Sequence, residues 1–255
     1  MSGWTALLLA GSRPGGDPLA RALGVPHKAL LPVAGEPMVL RPLRTLLASP
    51  AITEIIVLTQ SPADLSPVLP DHPDVRLRAS QATIASTIAG LIAEGTARFP
   101  LLVTTADHAL LDGGMVAEFT GKAAGADLAI GFVERRPLMR RFPEAKRTWI
   151  GFRGGRYSGA NLFAFGSARV LPAIERWRSV ERDRKKGWRV LSALGPALLL
   201  GAIFKLRTLQ QTAAAIGRRL NLDARAIELS NPVAAIDVDK PEDHALVEAI
   251  IAGRA

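Results

Sequence analysis

The chain has 255 residues, 48% of them hydrophobic, which suits one large α/β domain, or one domain with an insertion, better than two independent ones. Its 32 Lys and Arg against 23 Asp and Glu leave a net charge of +9 and favour anionic partners, yet aromatic content is only 5%, with one Tyr, and no aromatics alternate with cations as base-stacking surfaces require. Nucleic acid is therefore set aside as a partner. The absence of cysteine excludes disulfides and thiolate chemistry and agrees with a cytoplasmic location.

The first element, TALLLAG from Thr5, is an apolar run too short for a signal or membrane span, has no basic leader, and reads as a buried strand. It breaks into GSRPGG, Gly11 to Gly16, where glycines permit positive φ and Arg13 adds a forked cation. Such a loop is either a flexible connection or a cradle of amides and charge for phosphates; no GKS or GKT follows and GxGxxG is not matched. Lys28 comes next, between Pro26 and Pro32, which stiffen the backbone around it. A solvated surface lysine and a directed cation are both open readings.

Beyond it, PMVLRPLRTLLAS has helical spacing, ITEIIVLT is a β-branched strand, and a Pro-rich turn leads to the strand VRLRA. A helix follows from about Thr83 to Glu94, and then FPLLVTTAD, a strand ending at Asp107. Strand and helix in alternation imply right-handed crossovers and a doubly wound, mostly parallel Rossmann-like sheet, whose ligands sit beyond the C-terminal strand ends. The glycine loop and Asp107 share that rim.

In the second half DLAIGFVE reads as a strand, ERRPLMRRFPEAKR as a basic, proline-interrupted loop, and WIGFRGGRYSGANLFAF as a hairpin turning at Arg153–Gly155 followed by a further strand. From Ser167 to Arg219 the pattern is helical, with a cationic hinge ERDRKKGWR. The apolar stretch from Leu191 to Leu206 is interrupted by Gly195, Pro196 and Gly201 and is too short to span a bilayer. Beside Trp177, Trp188 and the cations of 184–206, it suits either peripheral contact with an anionic membrane or burial as a core helix or homodimer contact. The chain closes with AAIDVDKPEDHALVEAIIAG, read as strand, turn and helix, Lys240 and Pro241 standing before Glu242 and Asp243 as at a helix start.

Asp107, Asp237 and Asp239 each follow an apolar run, where an Asp serves as helix cap or turn former. Taken together near phosphates, such carboxylates also offer the hard oxygens that Mg²⁺ prefers. His108 beside Asp107 is either a turn residue or a neighbour of metal or substrate.

These segments resemble a known pattern. LLLAGSRPGG with HKALLPVAGEPM is similar to the N-terminal signature LAGGxGxRxG…KPLxxGGxPM of nucleotidyltransferases with a glycosyltransferase-A-like fold. TTADHALLD resembles their metal-binding strand end, and AIDVDKPEDHALVE their closing D-I/V-D-T-P-E-D-L element. The similarity covers residues 5–135 and 227–253, and the groups most resembled are the molybdenum-cofactor guanylyltransferase-like proteins and the cytidylyltransferases acting on methylerythritol phosphate or inositol phosphate. The glycine loop is contracted, KP has become Lys28–Ala29, and Asp237 stands where methylerythritol-phosphate enzymes have lysine, which argues against that activity.

The resemblance implies one domain, residues 1–255, with a nucleotide-binding half (1–135), a helical, basic, acceptor-binding insertion (136–226) and a closing strand and helix (227–255). It assigns Ala10, Gly11, Ser12, Arg13, Gly15 and Gly16 to a triphosphate loop, Lys28 to the α-phosphate, Ser86 to the base, and Asp107 and Asp237 to Mg²⁺. Arg13 and Lys28 are then the catalytic cations, and Arg140, Arg141, Ser158 and Asn161 the acceptor contacts. The implied activity is Mg²⁺-dependent transfer of NMP from an NTP, CTP slightly before GTP, to a phosphorylated sugar, polyol or inositol, with release of pyrophosphate. The alternatives are a molybdenum-cofactor-type guanylyltransferase, a non-catalytic nucleotide-binding module of the same fold, and a glycosyltransferase using a finished nucleotide sugar, which the Arg13/Lys28 pair disfavours.

Overall fold

The computed structural model describes residues 3–11, 16–181 and 206–255. At its centre β1 (Trp4–Leu9) pairs in parallel with β4 (Ile52–Thr59) on one side and β6 (Leu101–Thr105) on the other. The side chains of these runs alternate between faces, as strand geometry requires. Ala6, Leu8, Ile55, Val57 and Leu102 enter one core, and Leu7, Ile56, Leu58, Leu101 and Val103 the other. Near-continuous apolar strands mark a sheet buried on both faces.

Helices cover each face. α2 (Leu40–Leu47) contributes Leu43 and Leu46 to the first core, and α5 (Gly113–Ala123) adds Met115, Val116 and Phe119. On the opposite face lie Ala85, Ile88 and Leu91 of α4 (Ile84–Ala93) and Ile174 of α7 (Leu171–Glu181). Each fully buried Leu, Ile or Phe in these layers contributes about 1.5–3 kcal/mol relative to exposure.

The remaining strands are β5 (Val75–Ala79), β7 (Leu128–Glu134), β8 (Ile150–Phe152), β9 (Gly155–Phe165) and β10 (Ala224–Glu228). The order is β10-β7-β9-β6-β1-β4-β5, with β8 added to β9. The β1–β4, β1–β6, β4–β5 and β7–β10 pairs are parallel, and β9 runs against its three partners. This is the expected doubly wound, mostly parallel sheet. Edge strand β5 exposes Arg76 and Arg78, charges that discourage pairing with another sheet.

Three expectations in the second half are corrected. ERRPLMRR is a helix, α6 (Arg135–Arg141), started by Glu134, whose carboxylate accepts the Arg136 amide at 2.7 Å. Pro137 stands in the first turn, where its missing N–H has no helical partner to lose, and Leu138 anchors the helix in the core. Next, GRYSGANLFAF is one strand of 11 residues that kinks without ending.

AAIDVD, expected as the closing strand, is instead a 3₁₀ turn (Pro232–Ala235) running into irregular backbone. Ala234, Ala235, Ile236 and Val238 are buried, but the Val238 amide donates to the Asp107 carbonyl at 3.0 Å rather than to a ladder. The actual strand, ARAIE in β10, lies at the sheet edge with Arg225 and Glu228 exposed, and follows α8 (Leu209–Leu220). The chain ends in α9 (Pro241–Ile251).

No helix among the described residues is long and apolar enough to cross a membrane. Of the cationic and apolar segment 184–206, residues 184–205 lie outside the described residues.

Candidate active site

The C-terminal end of β1 leads into the glycine loop. The Ala10 amide donates to the Leu58 carbonyl at 2.8 Å, so bonding to β4 continues one residue past the end of β1. There a Cβ would stand 2.7 Å from the Gln60 side-chain oxygen, a close approach suited to glycine. Ser12, Arg13 and Gly15 lie outside the described residues. Gly16 returns the chain at φ +82°, and Asp17 caps α1 (Pro18–Ala22) by accepting the Leu19 and Ala20 amides at 2.9 and 3.3 Å.

A 3₁₀ turn, Lys28–Leu30, presents the lysine. It is fixed by the Leu30 and Leu31 amides donating to the His27 and Lys28 carbonyls, and by the buried Ala29 and Leu31. Behind it the strands β2 (Pro32–Val33) and β3 (Glu36–Pro37) form a small hairpin. Lys28 is no surface lysine, because its side chain is only 11% exposed. The ammonium donates to Asp107 Oδ2 at 2.7 Å and to Asp239 Oδ1 at 2.5 Å, joining the end of β6 to the closing segment.

Burial pulls the Lys28 ammonium toward deprotonation, but the Asp107 carboxylate, then Asp239, outweigh it and hold the lysine above its ordinary value. Asp107 keeps its other oxygen on the Thr105 hydroxyl at 2.5 Å. The result is a partly buried cation between two carboxylates on the rim where such sheets bind ligands.

Asp237, the expected partner of Asp107, is engaged elsewhere. Its carboxylate pairs with Arg147 and accepts the Asn161 amide at 3.1 Å. Asp239 stands with Asp107 instead. The two aspartates are separated by one residue, a spacing that extended backbone would place on one face, and the irregular backbone of this segment aims them differently. Periodicity alone could not say which one meets Lys28.

Asn161 reaches its place through a bulge. Ile130 pairs with Phe163 and Phe132 with Gly159, so Gly131 alone faces Ala160, Asn161 and Leu162. Asn161 adopts φ +48°, a conformation that Asn tolerates, and the kink re-aims its amide at Asp237. A Cβ on Gly131 would crowd Leu162 Cβ at 3.2 Å.

Of the four expected acceptor contacts, Asn161 is the one hydrogen-bonded to this carboxylate cluster. Arg140 and Arg141 are exposed on the last turn of α6, with Arg141 over the Phe142 ring at 5.0 Å, and Ser158 is buried in β9 opposite Val133. Ser86 has a local task. Its hydroxyl accepts the Thr83 amide at 3.1 Å and donates to the Thr83 carbonyl at 3.0 Å, closing the cap of α4.

His108 is wholly buried, and neither ring nitrogen has a hydrogen-bond partner among the described residues. Desolvation lowers its pKa from 6.5 to about 4, against the opposing pull of Asp107 and Asp112. It is a neutral core residue behind the site.

Sheet topology and a cation–carboxylate cluster at its rim define a Rossmann-like α/β protein with a polar site at its strand ends. Residues 6–197 match the family model described as MobA-like NTP transferase domain, and the chain belongs to that family. It is a nucleotidyltransferase, of a family that handles an NTP and a small-molecule acceptor.

Among solved structures, a hypothetical transferase from Thermus thermophilus is 26% identical with a TM-score of 0.80, over 95% of this chain and 100% of that one. A 4-diphosphocytidyl-2C-methyl-D-erythritol synthase from Anaerococcus prevotii, 12% identical, has a TM-score of 0.63 over 98% and 99%. A CMP:2-keto-3-deoxy-manno-octonic acid synthetase complexed with CTP is 11% identical, with a TM-score of 0.61 over 100% of both chains. The last two are likenesses of fold. A search of curated proteins found no match.

Proposed function

We propose that the protein transfers NMP from an NTP, CTP before GTP, to a phosphorylated sugar, polyol or inositol in a Mg²⁺-dependent reaction that releases pyrophosphate. The observation that carries this reading is the Lys28 ammonium held between Asp107 and Asp239, at the strand ends next to the glycine loop. The preference for CTP draws on the cytidylyl chemistry named for two structures of this fold. Guanylyl transfer to a molybdenum-cofactor-type acceptor is the second reading, favoured by the MobA-like family match.

The residues fit a magnesium ion. Asp107 and Asp239 offer hard carboxylate oxygens that converge on one cation, here the lysine ammonium, whereas the Asp237 carboxylate is neutralised by Arg147. Asp107 and Asp239 would hold the ion, which would supply Lewis-acid neutralisation of phosphate charge.

The chain's own contribution is positioning and charge. Lys28, charged throughout the neutral range, leaves its carboxylates for the α-phosphate oxygens and stabilises charge there during in-line attack. Gly11 and Gly16, which bound the glycine loop, are assigned to the triphosphate, with Arg13 assigned to pyrophosphate. A phosphate acceptor is ionised at neutral pH, so attack requires no general base, and the buried neutral His108 is not needed as one.

The test is pyrophosphate release from CTP, GTP, ATP and UTP with Mg²⁺ and a panel of sugar, polyol and inositol phosphates together with a pterin-type acceptor. CTP-dependent release supports the reading, and GTP-dependent release with a pterin-type acceptor selects the second. The absence of release with every NTP and acceptor rejects both.

A further inference from the structure

Arg147 belongs by sequence to the cationic stretch from Arg135 to Arg147, where an exposed acceptor-binding role is the obvious reading. The fold removes it from that surface. Its side chain is 8% exposed, and its guanidinium spans two carboxylates, Asp237 and Asp243, of which Asp243 is itself 9% exposed. One arm also donates to the Asp237 main-chain carbonyl at 3.2 Å. Three acceptors on one planar fork is a geometry that an ammonium cannot reproduce.

What Arg147 grips leads directly to the site. Asp243 Oδ2 accepts the amides of Asp239 and Lys240 at 3.3 and 3.1 Å, so the carboxylate that Arg147 orients also shapes the turn carrying Asp239. Val238, between the two aspartates, donates its amide to the Asp107 carbonyl. Asp239 then meets Lys28 at 2.5 Å. The segment 236–240 has no helix or strand to hold it, and these side-chain and main-chain bonds stand in for a ladder.

We propose that Arg147 is a positioning residue of the active site: by clamping Asp237 and Asp243 it holds the 237–240 turn in the conformation that presents Asp239 to Lys28 and Asp107. It also neutralises Asp237, leaving Asp107 and Asp239 as the carboxylates offered at the rim. The consequence for turnover rests on the function proposed above, whereas the consequence for the turn does not.

The test is Arg147→Lys, read by amide hydrogen exchange, thermal melting and steady-state kinetics. Arg147→Gln/Asp237→Asn, which removes the cation together with one of its two carboxylates, serves as the second variant. The amides of Val238, Asp239 and Lys240 should exchange at least about tenfold faster while those of β1 and β4 stay protected. With an NTP and acceptor that turn over, kcat should fall by about tenfold or more, and the acceptor KM by contrast should move less than about threefold.

Unchanged exchange at 238–240 in a folded variant overturns the proposal, as does faster exchange with kcat intact. A rise in acceptor KM alone would give Arg147 the substrate-contacting role instead. If neither variant folds, the wild-type protein still decides: the amides of 238–240 must be protected well above loop values, and exchange at loop rates overturns the clamp. If the wild-type protein shows no turnover, the functional reading fails while the exchange result still judges the turn.

Discussion

Replacing His108 by leucine should flatten the dependence of folding stability on pH between 7.5 and 5. The imidazole is buried behind Asp107 with both nitrogens unpartnered among the described residues, and its pKa falls from 6.5 to about 4 on folding. The folded pKa lies below the unfolded one, so the unfolded chain binds more protons between these values, and stability is lost as pH falls through that window. Linkage with these two values gives a loss of roughly 2 kcal/mol between pH 7.5 and 5, approaching about 3 kcal/mol below pH 4.

Asp127, held low by the Asp223 amide, the Ser167 hydroxyl and Arg169, also loses stabilisation in acid, but it does so in both proteins and cancels in the comparison. Urea unfolding at the two pH values measures the effect. The wild type should lose about 2 kcal/mol more than His108→Leu. Equal losses in the two proteins would instead show that His108 is hydrated or protonated in the folded state.

Asp239→Asn should lower kcat/KM by at least about 100-fold with little change in melting temperature, because Asp239 faces Lys28 at the exposed rim. Asp237→Asn should act mainly on stability, costing about 1–3 kcal/mol by loosening its pairing with the buried Arg147, as chemical denaturation would show. Ser86→Ala should cost about 0.5–1 kcal/mol through the cap of α4 and leave the order of NTP preference unchanged; a changed order would restore Ser86 to the base pocket. Gly166→Ala would place a Cβ 1.9 Å from the Ala126 carbonyl oxygen, a backbone clash that should destabilise the fold by about 3 kcal/mol or more in urea.

The first half of the fold was legible because its signals were local and strong. Continuous apolar strands such as ITEIIVLT, bounded by turn residues, admit one reading in a doubly wound protein, and β4 has the boundaries expected of it. The second half depends on contacts distant in sequence. Pro137 read as a break because its tolerance in a first turn depends on where Glu134 starts the helix. AAIDVD has strand alternation, yet its amides are claimed by Asp107 and by a 3₁₀ turn, which no periodicity reveals. The sheet edge was filled instead by ARAIE, whose charges hid it among helical neighbours.

The site shows the same division. Lys28 and Asp107 are singled out by flanking prolines and by a strand end, and the structure joins them at 2.7 Å. The choice between Asp237 and Asp239 turned on Arg147, whose burial could not be read from a run of exposed cations. Asn161 was marked by its polar surroundings, but what aims it at Asp237 is the bulge opposite Gly131.

In the proposed mechanism Lys28, released from Asp107 and Asp239, carries charge stabilisation in nucleotidyl transfer. Its most direct test is the rate of pyrophosphate release by the wild type and by Lys28→Met, with saturating CTP, Mg²⁺ and the best acceptor of the panel. In a Lys28→Met protein that remains folded, kcat should fall by about 100-fold or more. A Lys28→Met protein that releases pyrophosphate at the wild-type rate would contradict it.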